Sequence, residues 1–467
     1  MDIEIFATPG LGDTSFLIAS EGEAALVDPQ RDAWRFLAVA AAREWRVTHV
    51  LETHVHNDYL SGALEARART GAEIVAPGRG GYAFPHRGAD EGTSVDVGAL
   101  RLTAMATPGH TPEHLAWAAG QVDAPGGAPP DAVFTGGSLL VGTAGRTDLL
   151  GPERIVELTS LQGASLQRLA ALPPATRILP THGAGSFCGV GPAASATSTS
   201  VGLELAGNAV LMAAGAPDFA ATLLGGLGRF PDYYARMAPL NRAGPAVLGA
   251  APVPTALDPG ELAAAVAKGA RIVDGRPRTA FAKGHLPGSL NIELDESFAS
   301  YVGWLLPFDA PVVLVIPDPA PATAAEAATE LLRIGYDHMA GFLAGGVDAW
   351  AATGRPFRSY PVIGIEGLLG EVQAGARPDI LDVRQPGEWR DDGLIPGSRT
   401  VFVADLPGRL AELPRDHEIT VVCKSGSRAS IAASMLDDAG IPVRLVARGG
   451  VTGWAARFAA AMGEQTR

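Results

Sequence analysis

Ile272–Ile292 reads IVDGRPRTAFAKGHLPGSLNI, and Ile380–Val401 reads ILDVRQPGEWRDDGLIPGSRTV. These are two copies of one pattern. Each is followed by an apolar strand, Val312–Ile316 or Ile419–Val422, then by a helical stretch. Each closes on Gly-Gly-Val-x-x-Trp, at Gly345–Trp350 and Gly449–Trp454. The copies lie roughly a hundred residues apart, which is a domain spacing and not that of a solenoid unit. Strand and helix alternate inside each copy, so each is expected to be a small doubly wound parallel sheet.

Upstream, the Pro/Gly-rich stretch GAAPVPTALDP (Gly249–Pro259) reads as a linker. The first two hundred residues alternate apolar strands (Ala24–Asp28, Val47–Leu51, Glu73–Ala76, Leu102–Ala106, Ala132–Thr135) with helical stretches such as Arg31–Trp45. That pattern predicts a layered α/β domain. Val122–Asp131 (VDAPGGAPPD) is expected to be a surface loop. The boundaries expected are therefore 1–250, 258–357 and 359–467.

The composition agrees with a globular chain. Of 467 residues, 47% are hydrophobic and 18% charged, and the formal charge is −14, which argues against a nucleic-acid surface. The start, MDIEIFATPG, lacks the basic segment and apolar core of a signal peptide. No apolar run is long enough to span a membrane. Two cysteines, Cys188 and Cys423, allow no disulfide framework. The expectation is a cytoplasmic protein that binds neither membrane nor nucleic acid. The apolar stretch Leu203–Leu240 suggests a subunit or domain contact in a homo-oligomer.

Ile419–Arg428 reads ITVVCKSGSR: a strand, a cysteine, a Gly/Ser turn, an arginine and a helix from about Ala429. Backbone N–H groups converge at such a turn, stabilising a thiolate and binding anions. Cys423 is the candidate nucleophile, with Lys424 and Arg428 adding positive charge and Ser425, Gly426 and Ser427 forming the cradle. Ser359–Arg467 resembles a rhodanese sulfurtransferase, and Cys423 to Arg428 has that family's C-x4-R length. The resemblance implies that Cys423 carries a persulfide, and that Asp382 and Arg384 are a structural ion pair. The other copy has Pro317-Asp318-Pro319-Ala320-Pro321 here and no cysteine. Its prolines remove N–H donors from the cradle, so it reads as an inactive spacer or docking surface.

Three histidine islands sit at expected strand ends: THVHND (Thr53–Asp58), TPGHTPEH (Thr107–His114) and PTHG (Pro180–Gly183). Together they point to a metal site. Met1–Ala250 resembles the metallo-β-lactamase superfamily, with its αββα sandwich. Thr53–Gly62, Gly136–Asp148 and Gly185–Cys188 resemble the persulfide dioxygenases. That resemblance implies one Fe2+ per chain, with His54 and His110 as ligands beside an aspartate. Tyr59 replaces a second-metal histidine, and Gly137 replaces the aspartate. Either Gly137 leaves a gap that Gly137→Asp would fill, or His56, Asp58, His182 or Asp148 serves instead. Zinc or no metal are the alternatives. Arg146 is expected to pair with Asp148 beside the pocket, and Cys188 is either a substrate-side thiol or an inert one.

The reading is O2-dependent oxidation of a small thiol persulfide to sulfite, coupled to sulfur transfer among persulfide, thiosulfate and sulfite through Cys423. The alternatives are a thiolester hydrolase of the glyoxalase II type, and an inactive metal-domain scaffold attached to a working sulfurtransferase.

Overall fold

Segments of two to eight residues, too short for stable helices, pair into two six-stranded sheets in the first two hundred residues. The computed structural model describes residues 1–125, 128–190 and 195–456, so Gly126 and Gly127 of the expected surface loop lie outside the described residues. In the first sheet Asp2–Thr8, Asp13–Ser20 and Glu23–Val27 run antiparallel. Arg46–Leu51, Glu73–Pro77 and Arg87–Ala89 then continue it in parallel. The second sheet orders Thr199–Ser200, Arg177–Pro180, Ala132–Gly136, Leu115–Gln121, Leu100–Ala106 and Ser94–Val97.

Phe16, Ile18, Leu51, Val75, Leu102, Trp117, Phe134 and Leu179 fill the space between the sheets. Each such side chain contributes about 1.5–3 kcal/mol on leaving water. Phe36 and Ala40 of helix Trp34–Ala42 cover the outer face of the first sheet, and Leu166 and Leu169 of Ile155–Ala170 that of the second. The result is the expected αββα sandwich. The Leu203–Leu240 stretch folds into short helices whose Val210, Leu211, Phe219 and Leu223 join the core under Ile155–Ala170. Much of its apolar content therefore covers its own unit.

The two copies of the repeat form five-stranded sheets, all parallel. One orders Ala256–Leu257, Met339–Leu343, Val312–Val315, Arg271–Asp274 and Ser289–Asn291. The other orders Val362–Gly364, Val443–Arg448, Ile419–Val422, Asp379–Asp382 and Arg399–Thr400. The expected linker thus ends sooner than its composition suggests. Ala256–Leu257 pairs with Met339–Leu343, and Asp258 and Glu261 form a capping box on Pro259–Ala267.

The chain makes two compact units, Met1–Ala251 with Thr329–Gly335, and Pro252–Ala328 with the chain from Tyr336 on. Both copies of the repeat share the second unit. Helix Ser427–Asp438 of one packs on the other, where Asn291 N–H donates to Ser434 Oγ at 3.1 Å. The Gly-Gly-Val closure also has a physical reason. Gly450 (φ +37°) presses on the cysteine loop so closely that a Cβ would lie 2.1 Å from Lys424 O. Val451 N–H donates to Cys423 O at 2.9 Å. Among the described residues no helix is long and apolar enough to cross a membrane.

Candidate functional site

His54 follows strand Arg46–Leu51, His110 follows Leu100–Ala106, and His182 follows Arg177–Pro180. Strands of both sheets end at one rim, so the three islands meet there. One ring nitrogen from each of His54, His110 and His182 lies within 4.8 Å of the others, all fully buried.

In each ring Nδ1 is taken by another partner. His54 Nδ1 lies 2.8 Å from Thr53 Oγ1, whose own hydroxyl donates to Asp28 Oδ2 at 2.7 Å. His110 Nδ1 donates to Arg146 O at 2.8 Å. His182 Nδ1 donates to Asp13 Oδ1 at 2.9 Å and faces Asp58 Oδ2 at 3.1 Å. All three Nε2 atoms are thereby left for one shared centre, as in metal-ligating histidines held by outer partners. His54 Nε2 and His182 Nε2 stand 3.4 Å apart, and His110 Nε2 is buried with no hydrogen-bond partner.

The electrostatics divide the rings. Burial and the neighbouring His182 push His110 down to about 3. Burial and the surrounding histidines hold His54 well below its ordinary value. His182 also suffers burial, but Asp58 and Asp13 outweigh it and raise it to about 10.

The remaining candidates take distinct places. His56 turns Nε2 to Glu52 Oε2 at 2.9 Å and is stacked on Tyr59 at 4.3 Å between ring centres. Its Nδ1 is unpartnered, as is Asp58 Oδ1, and both residues group with His182. Tyr59 donates to Asp28 O at 3.2 Å. Asp148 makes the expected pair with Arg146, accepting from Nε at 2.6 Å and Nη2 at 2.8 Å, and among the described residues it joins none of the histidine groups. Cys188 is buried and donates to Asp58 Oδ2 at 3.3 Å, and burial with Asp58 nearby pushes its thiol well up.

Gly137 is not an empty slot. A Cβ there would sit 2.2 Å from His110 Cδ2, and Gly137 N–H donates to His114 Nε2 at 2.9 Å. His114 therefore holds backbone and is no part of the three-histidine group. His110 takes the space beside Gly137, and His182, held by its two carboxylates, is the third histidine of the group.

In the second unit, Cys423 ends strand Ile419–Val422 and lies just before helix Ser427–Asp438. Its sulfur is buried and accepts Gly426 N–H at 3.0 Å. Lys424 and Ser425 are exposed at the rim. Arg428 is not a bare cation: both terminal nitrogens donate to Glu388, Nη2 to Oε1 at 2.8 Å. Asp382 and Arg384 are fully buried against each other, with Arg384 Nη2 donating to Asp382 Oδ2 at 2.7 Å, and Asp274 and Arg276 repeat this in the other copy at 2.7 Å. This pair holds the strand ends.

A family model for the metallo-beta-lactamase superfamily matches residues 8–182, and one for the rhodanese-like domain matches 258–353 and 368–457. A probable metallo-hydrolase of Burkholderia pseudomallei is 34% identical over 219 residues, covering 39% of this chain and 72% of the relative. The chain belongs to the metallo-beta-lactamase superfamily. It carries two rhodanese-like domains as well. A hydroxyacylglutathione hydrolase of Fuscovulum blasticum is 34% identical over 187 residues, 39% of this chain and 67% of its own length. A solved metallo-beta-lactamase from Staphylococcus aureus aligns with a TM-score of 0.65 and 27% identity, covering 74% of this chain and 99% of its own.

A metal is implied by the metallo-beta-lactamase family and by the cluster. The residues fit one: His110 Nε2 is buried without a hydrogen-bond partner, and the Nε2 atoms of His54 and His182 face each other 3.4 Å apart beside it. Imidazole donors suit zinc, iron, copper or nickel.

Asp28, Asp13, Glu52 and Glu388 escaped the sequence reading. Asp28 sits at φ +49°, a left-handed conformation that aims its carboxylate at Thr53 N–H (2.7 Å), Thr53 Oγ1 and Thr181 Oγ1 (2.5 Å). It thereby ties the His54 and His182 loops together. An acid ending an apolar strand was its only signal.

Proposed function

We propose that the metallo-beta-lactamase domain oxidises a small thiol persulfide with O2, and that Cys423 of the second rhodanese-like domain transfers sulfane sulfur. The balance is RSSH + O2 + H2O → RSH + sulfite + 2 H⁺, with the outer sulfur giving four electrons to O2. In the transfer, the Cys423 thiolate attacks the outer sulfur of thiosulfate. The S–S bond breaks, sulfite leaves, and a cysteine persulfide remains for an acceptor. The observation that carries this reading is the Cys423 sulfur receiving Gly426 N–H at 3.0 Å in a cradle that the other copy replaces with prolines.

His54, His110 and His182 would hold one ion, which as iron would supply Lewis acidity and redox chemistry with O2. Arg146, stacked 4.5 Å from the Phe230 ring, orients His110 through its carbonyl. Asp13 and Asp58 hold the proton on His182 Nδ1 and so keep Nε2 turned to the centre. Glycine at 137 supplies no carboxylate to bridge a second ion, which favours a mononuclear site over a dinuclear hydrolase.

The similarity to hydroxyacylglutathione hydrolases favours a second reading, thiolester hydrolysis. Metal content, O2 uptake with glutathione persulfide, and hydrolysis of a glutathione thiolester, measured on one preparation, separate them. Two ions per chain with rapid thiolester cleavage and no O2 uptake would reject the first reading.

A further inference from the structure

The rhodanese-like domain without a cysteine reaches into the loop of the other. Arg278 opens its helix Arg278–Lys283. Arg278 Nη1 donates to Ser425 O at 2.8 Å, and Nη2 donates to Ser427 Oγ at 3.0 Å. The peptide between Ser425 and Gly426 is the one whose N–H points at the Cys423 sulfur at 3.0 Å. The guanidinium thus grips the carbonyl end of the peptide whose amide end faces the sulfur.

We infer that Arg278 is a positioning residue for sulfur transfer, supplied by the cysteine-less domain and acting on Cys423 through the Ser425–Gly426 peptide. A cation on the carbonyl polarises the amide, strengthening the N–H as a donor to a negative sulfur. It also fixes the peptide plane. Gly426 has φ +116°, and a Cβ there would lie 2.2 Å from Arg278 Nη1, so glycine is needed for both conformation and close approach. Arg278 is itself anchored by Glu293, which accepts Arg278 Nε at 2.8 Å and Arg278 N–H at 2.7 Å. Both side chains are mostly buried. The prolines that cost this domain its own cradle leave intact the face that braces its neighbour's.

The inference rests on Cys423 being the sulfur carrier, and its test separates the two claims. In the full chain, Cys423 alkylation by iodoacetamide is followed by peptide mass spectrometry, alongside thiosulfate-to-cyanide turnover and the thermal midpoint. Arg278→Ala should slow alkylation and lower kcat by about tenfold, with KM for thiosulfate and the midpoint little changed. Arg278→Lys keeps one cationic donor without the fork and should recover part of the loss. Should Arg278→Ala not fold, Glu293→Gln, which loosens the anchor, should give a smaller loss of the same kind. Wild-type alkylation and kcat in Arg278→Ala would overturn the inference. So would a fall in kcat matched by a falling midpoint in both Arg278 variants. An enzyme with no thiosulfate turnover, but an alkylation rate that still depends on Arg278, would reject sulfur transfer and keep the brace.

Discussion

The two candidate centres sit at the ends of strands and bind in opposite ways. The cysteine loop is contiguous: six residues, Cys423–Arg428, hold the sulfur with their own backbone, and Glu388 and Arg278 steady them from outside. The histidine centre is convergent: His54, His110 and His182 come from loops at least 56 residues apart in sequence, aligned by outer partners such as Asp28, Asp13, Asp58 and Arg146 O. A contiguous site is lost when its own residues change, and outside groups such as Arg278 tune it. A convergent site depends on its outer partners nearly as much as on its ligands.

The strongest test of that contrast is Cys423→Ser. It should abolish thiosulfate-dependent sulfur transfer and leave metal content and persulfide-dependent O2 uptake unchanged. Surviving transfer would move the nucleophile elsewhere. Next, His110→Ala or His182→Ala should bring metal content from about one ion per chain to near zero by elemental analysis. Unchanged metal in either would break the three-histidine set. The outer partner comes third: Asp13→Asn should weaken metal affinity by roughly 10–100-fold without touching a ligand. An effect of that size from outside the ligand set would sharpen the distinction, and none would erase it.

Gly137→Asp is a smaller test with a definite sign. Because a Cβ there meets His110, the added carboxylate should lower metal occupancy and destabilise the domain by about 1–3 kcal/mol. Higher occupancy would show that His110 yields and a gap exists. The smallest effect concerns Glu388. Burial raises its carboxyl, but Arg428 outweighs this and holds it below the ordinary glutamate value. A depressed folded pKa means the pair stabilises above the unfolded value of about 4.3, and that support is lost as pH falls through the folded pKa. Glu388→Gln should therefore flatten the acid side of the stability profile, read from thermal midpoints across that window. An unchanged profile would show that the cysteine loop does not use this pair.

The legibility of the two centres follows the same contrast. Cys423, its Gly/Ser turn and its strand are neighbours in sequence, so periodicity and turn chemistry expose them together. The prolines of the other copy are equally visible. Glu388 and Arg278 are not, because a salt bridge or a carbonyl contact leaves no periodic trace. Histidine islands at strand ends can be counted, but counting cannot tell a ligand from a support. His114 lies four residues from His110 in the same island and holds the Gly137 backbone instead. Asp148 is open to two sequence readings, spare ligand or partner of Arg146, and the structure shows the Arg146 pair.

The order of residues by itself determined the layered α/β units, the repeat, and the cysteine loop that one copy carries and the other replaces with prolines, because those depend on local periodicity and on backbone donors present or absent. Only the tertiary structure decided which histidines share a centre, why Gly137 accepts no side chain, and that the cysteine-less domain grips the active loop. Those outcomes depend on which ring nitrogen faces inward and which atoms come within 3 Å across long loops. Such distances are set by packing and not by spacing along the chain.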